Sequence, residues 1–362
     1  MLFHLWQYRD VFFAFNLFQY ITFRAGGAFL SSLLLCLFFG APFIRFIKRL
    51  KIQQSIREYG PQTHLAKAGT PTMGGLLILS AMVLSTLLWA RLDNRFVWLT
   101  LFSASYLGVL GFLDDYRKWL KKHPAGGLSD PAKMGSLLVW ALAVGTYLYF
   151  FPPSSAYAQT ITVPYLKNTH LFLGGFYVFF ALIVMVGSAN AVNLTDGLDG
   201  LAVGTLLVSA LTFALIAYLT GHIKFSSYLR LVYVPGAGEL TIYLAAMAGA
   251  CLGFLWFNAH PAEVFMGDTG SLFLGGSIGL TALCIRQELV LVIVGGIFVA
   301  EALSVMIQVG SVRFRGGKRV FRMAPLHHHF EVGGLAEEKV TVRFIIVAVV
   351  LALIALTSLK IR

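Results

Sequence analysis

The sequence predicts an all-α polytopic integral membrane protein with about ten transmembrane helices. Two observations carry this. Of 362 residues, 58% are hydrophobic and only 12% are charged, about half the charged share of a soluble domain, and mean hydropathy is +0.78. Uncharged runs also recur along the chain, several exceeding the roughly 18 residues that cross a bilayer core. A soluble fold would have to hide all of this surface in one core, which this length does not favour. Helix is required because lipid offers no partner for free backbone groups. The runs are too long and too uniformly apolar for barrel strands, which alternate.

The elements follow in order. No basic n-region precedes the first apolar stretch, and Arg9 and Asp10 interrupt it, so no signal peptide is expected. Residues 11–23, rich in Phe and Tyr, read as an interfacial segment. Spans are expected near 25–44, 73–90, 96–113, 134–151, 171–192, 200–220, 240–257, 269–285, 289–311 and 344–359. No low-complexity tract or tandem repeat interrupts them. The expectation is one membrane domain over 1–362, with 1–24 as a periplasmic or interfacial segment and 312–340 as a basic, histidine-bearing cytoplasmic loop. Cys36, Cys251 and Cys284 each lie in an apolar run without a CxxC partner, which argues against disulfides and a thiolate zinc site.

Lys and Arg set the orientation. The loops between spans 1–2, 3–4, 5–6, 7–8 and 9–10 hold 18 of the 28 Lys and Arg residues, so that side is expected to be cytoplasmic and both termini periplasmic. A basic cytoplasmic face suits anionic headgroups and substrates, in keeping with the net charge of +12.

Six of the eight Asp residues fall on that side, five of them in three motifs: GFLDDYRK (111–118), NAVNLTDGLDG (190–200) and FMGDTGS (265–271). Carboxylates without Cys neighbours suit Mg²⁺, which binds through one or two carboxylates plus substrate phosphates, and that points to phosphoryl chemistry. Asp114 and Asp115 follow the third span. Adjacent helical residues point about 100° apart, so both reach one centre only if the helix frays. The bland reading pairs them with Arg117 and Lys118 in solvent, but acids at a helix C-terminus oppose the macrodipole, which favours a purpose. Asp196 and Asp199, spaced i,i+3, share one face of a helix start or act as ordinary cap and first-turn acids. Asn190 and Asn193 just before them favour a polar pocket. Asp268 is a helix-capping Asp in a glycine turn, or a metal or phosphate site at a helix N-terminus.

The last cytoplasmic loop carries Arg313, Arg315, Lys318, Arg319 and Arg322, a strip suited to anionic lipid. His327, His328 and His329 are consecutive and cannot easily share one metal on a regular helix, whereas one or two can contact phosphate or move a proton. Glu301, near the middle of the ninth span, is a functional candidate by its position, or a hydrogen-bonded helix contact. No Walker A sequence, HExxH or Ser-His-Asp arrangement occurs.

With KAGTPTMGG (67–75), GFLWFN (253–258) and FRMAPLHHHFE (321–331) in the same order as the three acidic motifs, the chain resembles the phospho-N-acetylmuramoyl-pentapeptide transferase family over essentially its whole length. The resemblance implies ten transmembrane helices around a cytoplasm-facing cleft in the bacterial inner membrane, a homodimer, and no nucleic-acid partner. It implies transfer of phospho-MurNAc-pentapeptide from UDP-MurNAc-pentapeptide to undecaprenyl phosphate with Mg²⁺ as cofactor, the first lipid-linked step of peptidoglycan and cell-wall synthesis. It assigns Asp114 and Asp115 as the paired acids, Asp114 as base for the lipid phosphate, Asp268 as the magnesium ligand and His327 as catalytic. Lys67, Asn190, Asp196, Asp199, Asn258, Phe265 and His328 fall around the nucleoside and diphosphate, with Phe265 stacking on uracil and Asp199 bonding its edge. Two rivals remain at this level. A sister GlcNAc-1-phosphate transferase would share the acidic motifs. A secondary transporter would place its acids near the bilayer midplane between inverted repeats, which this pattern does not show.

Overall fold

The computed structural model describes residues 1–52, 69–121, 123, 126–166 and 169–360. Two 3₁₀ segments (Leu2–Tyr8 and Phe13–Gln19) lead into α1 (Ile21–Arg49), α2 (Gly75–Trp89), α3 (Arg95–Lys121) and α4 (Asp130–Phe150). A small antiparallel hairpin, β1 (Thr160–Thr162) and β2 (His170–Phe172), precedes α5 (Phe176–Thr195) and α6 (Leu201–Gly221). Then come α7 (Ile223–Leu229), α8 (Gly238–Asn258), α9 (Gly267–Cys284), α10 (Glu288–Val294), α11 (Gly296–Phe314), α12 (Leu326–Val332) and α13 (Glu337–Thr357).

Among the described residues, eight helices are long and apolar enough to cross a membrane: α1, α3, α4, α5, α6, α8, α11 and α13. The runs expected at 73–90 and 269–285 are α2, with 15 residues, and α9, with 18. The run expected as one span at 289–311 is divided into α10 and α11 at Gly295 and Gly296, where ψ of Gly295 turns to 18°. Paired glycines break a helix cheaply because they lower its propensity without adding side-chain contacts. The hairpin takes the first residues of the run expected at 171–192, so α5 begins at Phe176. α13 begins at Glu337 rather than near residue 344, with Glu337 and Glu338 in a first turn that the helix dipole favours.

α8 and α9 form the centre. Residues 238–251 and 269–284 are buried without interruption. α8 packs on α1, α2 and α6, and α9 packs on α3 and α5, where Gly275, Gly276 and Gly279 admit neighbouring helices closely. The other spans bury one side and show Leu, Val, Ile and Phe on the other, as lipid-facing helices do. At the end remote from the motifs, the Arg24 guanidinium in α1 donates to both carboxylate oxygens of Glu239 in α8, at 2.7 and 2.8 Å. The Arg91 backbone N–H donates to the same carboxylate at 2.9 Å. This buried, bidentate pair fixes the α1–α8 register, which helps set where α8 ends on the motif side.

Candidate active site

Alternating helix directions bring the C-terminal ends of α3 and α5 and the N-terminal ends of α4 and α9 to one place. One carboxylate oxygen from each of Asp114, Asp115 and Asp268 lies within 4.8 Å of the others. The α3 helix does not fray there. It continues to Lys121, so Asp114 and Asp115 sit inside it and both still reach the centre, against the sequence expectation. They do so because α9 points its N-terminus at this side of α3. Asp114 and Asp115 are 2% and 4% exposed.

The two neighbours do different work. Asp115 accepts the backbone N–H groups of Asp268 (3.2 Å) and Thr269 (2.9 Å) and the Thr269 hydroxyl (2.7 Å). It is an N-cap for α9 supplied from another helix, satisfying donors that a helix start leaves open. Asp114 accepts the Leu128 N–H at 2.7 Å and holds Lys118 Nζ at 2.6 Å. Lys118 also reaches Asp268 Oδ2 at 3.0 Å, and Lys133 of α4 pairs with the same oxygen and lies 3.7 Å from Asp114. Asn193 donates from one amide nitrogen to Asp268 Oδ1 and to Ser271 Oγ, both at 2.8 Å. Three carboxylates and two ammonium groups thus converge from α3, α4 and α9, with the α5 amide holding Asp268 in place.

Asp196 and Asp199 do not share a helix face. Asp196 is the C-cap of α5, and its carboxylate meets the Gly267 N–H at the start of α9. Burial pushes its pKa up to about 8, helped by the charges of Asp268, Asp115 and Asp199 and opposed by that N–H. Asp199 turns the other way. Its Oδ2 lies 3.0 Å from His260 Nδ1 and accepts the Ala262 N–H at 3.1 Å. Its own N–H donates to Glu337 at 2.8 Å. Asp199, His260 and Glu337 make a second oxygen-rich group, with His260 Nε2 3.1 Å from Glu338. Asn258, 4% exposed, spends its amide on the Val264 carbonyl (2.9 Å) and the Gly200 N–H (3.1 Å), holding the 259–264 loop to the start of α6. Phe265, just after that loop, is half-buried, its N–H donating to Pro71 and its carbonyl accepting from Gly74. Asn190 donates to Val186 within α5.

His327 is buried in α12, with Nε2 against Gly197 of the 196–199 turn, where an added Cβ would stand 2.3 Å from it. His328 Nδ1 lies 2.7 Å from Glu331, and His329 accepts the Arg322 N–H, so the three histidines face three ways. Lys67 lies outside the described residues. Sequence reading passed over Lys133 and treated Lys118 only as a solvated partner. A lysine inside the first turn of an apolar run was the available signal. Thr269 and Ser271 carried none beyond the motif itself.

The donor set at Asp114, Asp115 and Asp268 fits a hard divalent cation: it is all oxygen, and the carboxylates are close enough to share one. Lys118 and Lys133 partly neutralise the same oxygens.

Residues 97–286, which hold this cluster, match Glycosyl transferase family 4. Residues 67–79 match phospho-N-acetylmuramoyl-pentapeptide-transferase signature 1. The chain is 54% identical to the phospho-N-acetylmuramoyl-pentapeptide-transferase of Endomicrobium trichonymphae, over 100% of both chains. It is 52% identical to the protein of that name from Desulfotalea psychrophila, again over 100% of both, and 52% identical to that from Citrifermentans bemidjiense over 96% of each.

Proposed function

Because this chain belongs to the phospho-N-acetylmuramoyl-pentapeptide transferase family, we propose that it transfers phospho-MurNAc-pentapeptide from UDP-MurNAc-pentapeptide to undecaprenyl phosphate. An oxygen of the lipid phosphate bonds to the sugar-linked phosphorus, the bond from that phosphorus to the bridging oxygen breaks, and UMP leaves. The products are UMP and a lipid-linked diphosphate. The proposed setting is the bacterial inner membrane, with the motif end cytoplasmic, both termini periplasmic and the protein a homodimer.

The observation that carries the reading is the convergence of Asp114, Asp115 and Asp268 with Lys118 and Lys133 at the end of a membrane bundle. Phosphoryl transfer asks mainly for positioning and charge stabilisation. Asp268, held by Asn193 and lying at the N-terminus of α9, is the proposed ligand of Mg²⁺, with Asp114 beside it. When bound, the ion would neutralise the diphosphate and the charge that develops on the leaving UMP. Lys118 and Lys133 are placed to pair with phosphate oxygens as the carboxylates take the cation. Asp114, with one backbone donor and a lysine, is better placed as the base that orients the lipid phosphate than Asp115, whose oxygens are occupied by the α9 cap. Asp196 opens the 196–199 turn that the nucleotide would meet, and its carboxyl group reaches the Gly267 N–H beside the cluster. Phe265 offers the only large half-buried ring among the proposed nucleotide residues, suited to stacking on a base.

The test is a transfer assay on purified protein in detergent, with UDP-MurNAc-pentapeptide and undecaprenyl phosphate, following UMP and lipid product with and without Mg²⁺. Both products should form only with the metal, and Asp268→Asn should abolish turnover while leaving the protein folded. Near-full turnover in that variant would remove Asp268 from the metal site. No product from well-folded protein would send the search to other UDP-sugars.

A further inference from the structure

Glu301 is a buried acid that lies outside everything assigned so far. Glu301 sits on α11 with no solvent exposure, in a stretch otherwise made of apolar and small residues. An acid in such surroundings is costly unless it is engaged. Its engagement is with His327. Glu301 Oε1 accepts the His327 backbone N–H at 3.2 Å and stands 3.2 Å from the His327 Nδ1. That ring contact is close but not aligned as a hydrogen bond. Glu301 Oε2 and His327 Nε2 have no partner among the described residues. The imidazole is 1% exposed and wedged between three elements: α11, which supplies Glu301; its own helix, where the His328 ring lies 4.2 Å away centre to centre; and the turn at Gly197, flanked by Asp196 and Asp199.

A carboxylate can only accept, so the imidazole nitrogen that faces it carries the proton. In the neutral ring the other nitrogen is then an acceptor. Here that other nitrogen is Nε2, the one directed at the 196–199 turn. The arrangement is that of a histidine whose tautomer and ring angle are set by an acid behind it.

We propose that Glu301 is a positioning residue for the transfer reaction: its carboxylate holds His327 in the Nδ1–H tautomer and keeps Nε2, as an acceptor, at the turn between the two acidic groups. This rests on His327 taking part in the reaction. The backbone bond to the His327 N–H does a second job, fixing the start of α12, so loss of structure and loss of tautomer control must be separated.

Glu301→Gln separates them. The amide keeps the volume and keeps an oxygen for the His327 N–H, but it no longer demands a proton on Nδ1. The variant is compared with His327→Ala and with the double variant, measuring kcat, KM for UDP-MurNAc-pentapeptide and the melting temperature of purified protein. Glu301→Gln should lower kcat by about 10- to 100-fold with KM changed less than about twofold, the scale on which a misoriented histidine acts. In the His327→Ala background the same change should alter kcat by less than about twofold, because the two residues act as a unit. A full-sized effect in that background, or an unchanged kcat in the single variant, would overturn the proposal while leaving the role of His327 intact. Wild-type turnover in His327→Ala would instead overturn the role of His327 and the proposal with it. Should the amide variant fail to fold, Glu301→Asp, which keeps the charge and withdraws it by one methylene, is read by the same cycle.

Discussion

Gly111 is where α3 and α9 come closest to the reactive carboxylates, and adding one methyl group there tests how far the cluster depends on that approach. A Cβ at residue 111 would stand 2.2 Å from the Asp268 carbonyl oxygen, 2.5 Å from its carbonyl carbon and 2.6 Å from the Thr269 Cα. All three are backbone atoms, so no side chain can swing aside. Ordinary contact begins near 3.4 Å and real Cβ atoms essentially never come under 3.0 Å, so the helices must part by about 0.8–1.2 Å at this point. The parting moves Asp268 away from Asp114 and Asp115 and stretches the bonds from Asp115 to the α9 N-terminus. Overpacking of this kind costs about 1–3 kcal/mol of stability, and a displacement near 1 Å at a reacting centre costs about 10²-fold in rate. Gly111→Ala should therefore fold, melt several degrees lower, and lose about two orders of magnitude in turnover in the UMP-release assay. The comparison is Gly135→Ala on α4, where an added Cβ meets nothing within 4 Å, which should be silent in both measurements. Wild-type turnover in Gly111→Ala would refute the idea that the α3–α9 approach sets the distance between the carboxylates.

Three further outcomes follow from the same geometry. Asp115→Asn should lower the melting temperature more than Asp114→Asn, since it removes an acceptor from the Thr269 N–H and hydroxyl; equal losses would contradict the cross-helix cap. Lys133→Met should lower turnover by about 10²-fold while tightening divalent-cation binding to substrate-free protein, because a competing charge leaves Asp268; weaker cation binding, by titration calorimetry, would oppose the assigned role. Burial keeps a proton on Asp196 in the folded protein up to about pH 8, whereas the unfolded chain loses it near pH 3.8. Its stabilising contribution is thus fully present below the unfolded value and is lost as pH rises through about 8. With chelator present, the melting temperature of Asp196→Asn should fall less steeply between pH 5 and 8 than that of the parent; parallel curves would remove the shift.

The helical membrane class was legible because it rests on length and hydropathy, which are local properties. The Gly295 break was not, since a glycine pair inside an apolar run reads equally as close packing or as a kink, and only the packing of α10 and α11 decides. Nor were the ends of α3 and α13. Helices continue past the lipid where their polar turns find partners, as Lys118 finds Asp114 and Asp268, and Glu337 finds the Asp199 N–H. The acids themselves were visible as motifs. Their division of labour was not: Asp114 and Asp115 are adjacent in the chain, yet one caps a helix that begins some 150 residues later.

That division bears on how such a site is built. The N-terminus of α9 has three donors pointing out of the bundle, from Gly267, Asp268 and Thr269, and each is met by a carboxylate from another helix: Asp196 for the first, Asp115 for the other two. The dipole of α9 favours oxygen acceptors there, and these acceptors in turn fix where α9 starts. Asp268, in that first turn, then needs no flexible loop to carry it. Its position is set by backbone bonds to two neighbouring helices and by the Asn193 amide. The lysines and the helix end share the charge of an acidic group assembled this way, and its oxygens lie within reach of one cation. The sequence shows the acids that result; the reason they can crowd together lies in a helix end that no motif describes.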